Sequence, residues 1–217
     1  MDSLELINLK TMLAYNLASE RYHDLFRNEM NEKAYDRRLL DSFASRFCED
    51  SLICDAGCGP SGHIGRYLFD KGVQVVGVDI SDKCIELARR YNPQMKFERG
   101  DIADLTFHDA AFDGIIAYYS IIDTPKRYVN RIFREFNRIL KPNGCLLVAV
   151  KAGVTEGYID DLLGIETEIY QALFTEEEIA SYFQQGDFLV EFIDKRKPYE
   201  FEMSNERIFA IGKKAGS

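Results

Sequence analysis

The 217-residue chain predicts an α/β fold built on a mostly parallel sheet. From residue 51 onward, short apolar runs alternate with amphipathic helical segments at the pitch of strand–helix units. The runs are nearly continuous in apolar residues, as strands are when both faces of a sheet are covered. Acids stand at or just past the ends of three of them, Asp55, Asp79 and Asp101, where open α/β sheets collect their ligands.

Residues 3–47 are charged throughout and show no strand pattern, so 1–48 reads as an amino-terminal helical lid. The first strand falls at 51–54, followed by a glycine-rich turn and a helix over 62–71 with Ile64, Tyr67 and Leu68 on one face. The second strand is 74–79. Ser81 is an N-cap residue for a helix to Tyr91, stopped by Asn92-Pro93. A third strand spans 96–99 and a fourth 112–119. Pro125 opens a helix to Leu140 whose buried stripe is Ile132, Phe133, Phe136, Ile139 and Leu140. Residues 141–144 (KPNG) form a turn, and 145–151 a fifth strand that closes the core over 51–151. Glycines and acids without a sustained period make 152–174 a mobile substrate loop. Thr175 and Glu178 form a capping box for a helix to Gln185, closed by Gly186. Two β-like runs, 188–197 and 206–213, make a carboxy-terminal antiparallel pair, so that 175–217 is a helix plus a hairpin. Arg196 to Glu200 reads as a surface turn, with a substrate edge as the alternative. No composition break divides the chain, and a single domain over 1–217 is expected.

With 36 acids against 27 Lys and Arg, the net charge is −9. An acidic surface repels a phosphate backbone, so nucleic acid is not expected as a partner. No apolar run approaches the ~20 residues of a membrane span. The amino terminus, with Asp2 and Glu5 and no basic segment, is not a secretory signal. Five cysteines include no zinc spacing, since Cys54 and Cys58 are separated by three residues; they read as buried thiols, which predicts no metal and a cytoplasmic location. His23, His63 and His108 are isolated and read as structural.

Residues 52–62, LICDAGCGPSG, are the most informative segment. Gly57, Gly59 and Gly62 spell the G-x-G-x-x-G of a dinucleotide site. Asp55 argues against that reading, because a pyrophosphate needs free backbone N–H groups and a positive helix terminus. A carboxylate suits a ligand that carries positive charge, as S-adenosylmethionine does with its ammonium and sulfonium. At the end of the second strand, Asp79 is placed to accept both hydroxyls of an adenosine ribose. Asp101 is placed to accept an adenine amine, with Ile102 packed on the ring.

In these segments the chain resembles the class I S-adenosylmethionine-dependent methyltransferases. Residues 55–62 (DAGCGPSG) are similar to that family's glycine-rich motif, 75–81 (VVGVDIS) to its ribose motif, and 98–105 (ERGDIADL) to its adenine motif. Residues 112–123 (FDGIIAYYSIID) resemble its fourth strand, and 138–150 (RILKPNGCLLVAV) its fifth. The resemblance implies a Rossmann-like methyltransferase fold, a mostly parallel seven-stranded sheet with a carboxy-terminal antiparallel strand pair and helices on both faces. It implies S-adenosylmethionine as cofactor and S-adenosylhomocysteine as product. By position, Asp55, Gly57 and Gly59 match methionine contacts, Asp79 and Ile80 the ribose–adenine pair, and Asp101 and Ile102 the adenine pair. Ala117 and Tyr118 match positions near the sulfonium. Residues 14–22 (AYNLASERY) resemble the family's covering helix, which makes Tyr22 a donor to the methionine carboxylate and Tyr15 its neighbour one face-repeat earlier.

Some family features are absent. The glycine loop is one residue longer than the common form, and Ile122 and Asp123 stand where many small-molecule members carry a His. No N-P-P-Y or Pro-Cys pair follows the fourth strand. The candidate bases are therefore Tyr119 and Asp123, and a small-molecule acceptor is expected. Two rivals stay open: a non-catalytic S-adenosylmethionine-binding module and an NAD-dependent oxidoreductase. The choice between monomer and homodimer also stays open.

Overall fold

The computed structural model describes residues 2–216. Nine strands and six α-helices follow one another as α1 (Leu4–Phe26), α2 (Ala34–Ala44), β1 (Leu52–Ala56), α3 (His63–Phe69), β2 (Gln74–Asp79), α4 (Asp82–Tyr91), β3 (Lys96–Arg99), β4 (Phe112–Tyr118), α5 (Lys126–Ile139), β5 (Leu140–Lys151), β6 (Glu156–Leu162), β7 (Ile165–Ala172), α6 (Glu176–Gln185), β8 (Phe188–Arg196) and β9 (Arg207–Lys214). Seven strands form one sheet in the order β3-β2-β1-β4-β5-β9-β8. The first five run parallel, and β9 and β8 are antiparallel additions at one edge. The order reverses between β1 and β4, so the switch point lies beside the glycine loop.

The helices take their places from their apolar stripes. On α5, Val129, Ile132, Phe133, Phe136 and Ile139 are all buried, at i, i+3, i+4 and i+7 spacing. Each such side chain stabilises the fold by roughly 1.5–3 kcal/mol through the surface it removes from water. With α6 they cover one face of the sheet. Leu40 and Phe43 of α2, Ile64 and Leu68 of α3 and Ile85 of α4 cover the other. Ser81 caps α4 by accepting from the Cys84 N–H, and the Thr175–Glu178 capping box opens α6 as the sequence predicts. Helix α1 lies against α4 and β7, across the carboxyl ends of the strands.

One segment differs in kind from its expectation. Residues 152–174 are not an irregular connection: β6 and β7 form a separate antiparallel hairpin. Its turn is Leu163-Gly164, both at positive φ (58° and 82°), a two-residue geometry that matches strand twist. Acids on the exposed faces of both strands masked the alternation. The expected turn at 141–144 is likewise absorbed into the start of β5, with Asn143 at φ 65° and a register shift against β4.

Candidate functional site

Beneath α1, at the switch point, lies a partly open cavity of about 70 Å³. The sequence-predicted residues Tyr15, Tyr22, Gly57, Gly59, Asp79, Ile80, Asp101, Ile102, Tyr118, Tyr119 and Asp123 all line it. Asp55 and Ala117 do not. Ala117 is wholly buried within β4. The Asp55 carboxylate sits under the loop and accepts from the Gly65 N–H at 2.9 Å, in the first turn of α3. The expected direct contact of Asp55 with a ligand is therefore replaced by a capping role: the acid holds the loop–helix junction from behind.

The glycine loop is shaped by inward bonds. Gly57 and Cys58 N–H both donate to the Val78 carbonyl, at 2.7 and 2.9 Å, and Gly59 N–H donates to the Asp79 carboxylate at 2.9 Å. Gly57 sits at φ 81°, and a Cβ there would lie 2.2 Å from the Ser120 Cβ, so only glycine lets the loop meet the end of β4. The other Asp79 oxygen accepts from Ser81 N–H at 2.9 Å. The N–H groups of Gly57, Cys58, Gly59 and Gly65 are thus engaged within the protein, by Val78, Asp79 and Asp55, and are withdrawn from a pyrophosphate.

At the far end, Asp101 accepts from Asn8 Nδ2 at 2.6 Å and from Ala103 N–H at 2.8 Å, with Ile102 alongside. At the near end, the Tyr15 hydroxyl donates to Asp123 at 2.8 Å, and the Tyr15 and Tyr22 rings lie 6.1 Å apart on one face of α1. The Tyr22 ring comes within 3.6 Å of where a Gly59 Cβ would be. Tyr119 turns the chain away from β4 in the left-handed region, at φ 59°, a conformation that costs a non-glycine residue on the order of 1 kcal/mol.

Burial sets the charge states. It pushes Asp79 up to about 6, against the N–H groups of Ser81, Gly59 and Ile80. It pushes Asp55 up to about 7, opposed by the nearby His63 and the Gly65 N–H. Asp123 also rises to about 7 by burial, opposed by the Tyr15 hydroxyl and the Lys151 charge. Burial raises Asp101 too, opposed first by the Ala103 N–H. Carboxylates held in this way gain from a cation placed among them.

Three side chains that line the cavity, Thr11, Tyr119 and Ser120, carry buried hydroxyls with no hydrogen-bond partner among the described residues. Buried polar groups are nearly always satisfied, so orphans gathered in one cavity mark where ligand atoms belong. Sequence reasoning missed Asn8, Thr11, Gly100, Ala103 and Thr124 in the lining. Asn8 and Thr11 were within reach of it, because they extend the face that carries Tyr15 and Tyr22. Among the described residues no group of His, Cys, Asp and Glu is arranged to hold a metal.

Residues 53–144 match the family described as a methyltransferase domain. Among curated relatives, methyltransferase GfsG of Streptomyces halstedii is 30% identical over 152 residues, covering 67% of this chain and 51% of that protein. A malonyl-[acyl-carrier protein] O-methyltransferase of Enterobacter lignolyticus is 29% identical over 135 residues, covering 61% of this chain and 50% of that protein. The chain thus spans about half the length of these two relatives. Among solved structures, a SAM-dependent methyltransferase of Methanosarcina mazei superposes with a TM-score of 0.73 at 21% identity, covering 81% of this chain and 98% of that one.

Proposed function

Residues 53–144 match a methyltransferase domain, and from that premise we propose that the chain is a class I S-adenosylmethionine-dependent methyltransferase that transfers a methyl group to an O, N or C atom of a small-molecule acceptor. The observation that carries this reading is the cavity under α1, where the glycine loop, buried acids and orphaned hydroxyls converge. In the proposal, Asp79 and Ile80 hold the ribose, and Asp101 and Ile102 hold the adenine. Tyr22, Gly57 and Gly59 border the methionine part, and Tyr118 faces the sulfonium. Asp55 and Ala117 act from behind, by fixing the loop and the strand. When bound, S-adenosylmethionine supplies an activated methyl group.

The chain's own task is then alignment and exclusion of water. Helix α1 roofs the cavity, fastened by Asn8 to Asp101, by Tyr15 to Asp123 and by the Asn16 side chain, which accepts from the Ser81 hydroxyl at 2.6 Å. Asp123, held near neutrality by burial, is the group placed to take a proton from an acceptor hydroxyl. Tyr119, on the lining of the same cavity, is the hydrogen-bond donor in this reading. The small-molecule class is supported by the net charge of −9 and the small size of the cavity. The cytoplasm is supported by five unpaired cysteines, four of them buried.

Equilibrium titration with S-adenosylmethionine, S-adenosylhomocysteine and NAD tests the cofactor. Binding of both sulfur nucleosides and none of NAD is expected; binding of NAD alone would overturn the reading. Turnover in an acceptor screen then separates an enzyme from a non-catalytic binding module.

A further inference from the structure

The carboxyl end of β5 and the adjoining ends of β9 and β8 carry a row of cations that the reading above does not use. Lys151 stands opposite Arg207, and Arg207 opposite Arg196, in antiparallel register on one face of the sheet. Like charges placed directly opposite destabilise a ladder, so the row needs counter-charge. Arg196 has it, with Asp36 at 2.9 Å and Glu202 at 2.6 Å. Lys33, at the start of α2, shares that acid, with Glu202 at 2.9 Å and Glu29 at 2.8 Å.

The supply runs out toward β5. Arg207, only 4% exposed, donates to the carbonyls of Asn205 and Met203 and has Glu202 no nearer than 4.0 Å. Lys151 is partly buried and has no carboxylate within 4.0 Å among the described residues; its one hydrogen-bond partner there is the Met203 sulfur at 3.5 Å. A half-buried ammonium whose one hydrogen-bond partner is a thioether, and which Asp123 attracts only from beyond ion-pair distance, is a poorly compensated charge. The shortfall lies beside the cavity. Tyr119 N–H donates to the Ala149 carbonyl at 2.9 Å, two residues before Lys151. The Arg207 guanidinium lies 5.9 Å from the centre of the Tyr119 ring, and the Tyr119 hydroxyl is orphaned. The one acid on this wall of the cavity is Asp123, which Tyr15 already engages.

We infer that the acceptor is a monoanion: a small molecule bearing a carboxylate, with Lys151 and Arg207 as its counter-charge and the Tyr119 hydroxyl as its hydrogen-bond donor. This rests on the methyl-transfer reading of the same cavity. A single negative charge balances the shortfall, whereas a dianionic phosphate overshoots it and meets the Glu202–Asp36 acids behind. Lys151 and Arg207 are specificity residues in this proposal; neither takes part in the transfer itself.

The test is a calorimetric titration with benzoate and with inorganic phosphate, on the protein alone and loaded with S-adenosylhomocysteine, in wild type, Lys151→Met and the exposed control Lys197→Met. Benzoate is expected to bind wild type and Lys197→Met alike and Lys151→Met at least about tenfold more weakly, the scale of one lost charge pair. S-adenosylhomocysteine affinity is expected to stay the same in all three. Without benzoate, Lys151→Met is expected to melt above wild type, because a poorly compensated, half-buried charge has gone. Equal benzoate binding in Lys151→Met, no benzoate binding to wild type, tighter binding of phosphate, or a lower melting temperature for Lys151→Met would each overturn the proposal. Failure of S-adenosylhomocysteine to bind would instead overturn the cofactor reading, and the benzoate arm on the protein alone still decides the anion site.

Discussion

The two halves of the sheet's carboxyl end are built on different principles. On the β3-β2-β1 side, each functional acid is held by nearby backbone: Asp79 by Gly59 and Ser81, Asp101 by Ala103. On the β4-β5-β9-β8 side, the polar groups come from distant parts of the chain. Asp36, Tyr118, Arg196 and Glu202 form one buried cluster, with Tyr118 donating to Asp36 and Arg196 bridging both acids. Beside that cluster stand the orphaned hydroxyls of Tyr119 and Ser120 and the poorly compensated Lys151. The first half is pre-satisfied and rigid, as suits a ligand that does not vary. The second keeps unpaired groups, as suits a part that selects.

Substitutions should separate the halves. The largest expected effect is on stability, at Asp36→Ala. Removing this wholly buried acid leaves Arg196 with half its counter-charge and should cost roughly 3–5 kcal/mol in denaturant unfolding. Next comes Asp79→Ala, which removes the carboxylate that fixes the loop and, in the proposed reading, faces the ribose. S-adenosylhomocysteine affinity should fall by about 100-fold, on the scale of ~3 kcal/mol for one lost charged hydrogen-bonding group.

The pH profile follows. Asp55 and Asp123 are raised to about 7 and Asp79 to about 6, all above the ordinary 3.8, so the folded state binds more protons than the unfolded one across that window. Their contribution is fully present below the unfolded value and is lost as pH rises through about 7. Ligand-free melting temperature should therefore decline between about pH 4 and 7 through these groups, and Asp123→Asn should flatten that decline. Glu202, held down at about 2 despite burial by Arg196, the Tyr199 N–H and Lys33, acts oppositely and only at more acid pH. The smallest effect belongs to the hairpin. Gly164→Val places a branched residue at φ 82° and should cost about 1 kcal/mol or slightly more, shifting acceptor KM while leaving cofactor affinity alone.

The same contrast explains what was legible in the sequence. The β1–β4 core and its motif acids were readable because strand, turn and acid are contiguous. Asp55 misled in one respect: the sequence places a charge at the loop, but only the fold shows that it faces Gly65 rather than the cavity. Arg196, read as part of a surface turn or substrate edge, is 9% exposed and buried in ion pairs, because its partner Asp36 lies 160 positions away. The β6–β7 hairpin was hidden by its own solubility, its exposed acids outweighing the period-two signal and the Leu163-Gly164 turn.

The most direct test of this division is the heat of S-adenosylhomocysteine binding to wild type, Asp79→Ala and Lys151→Met. The account predicts tight binding to wild type and Lys151→Met, and loss in Asp79→Ala. Undiminished binding by Asp79→Ala, or equal loss in Lys151→Met, would contradict it.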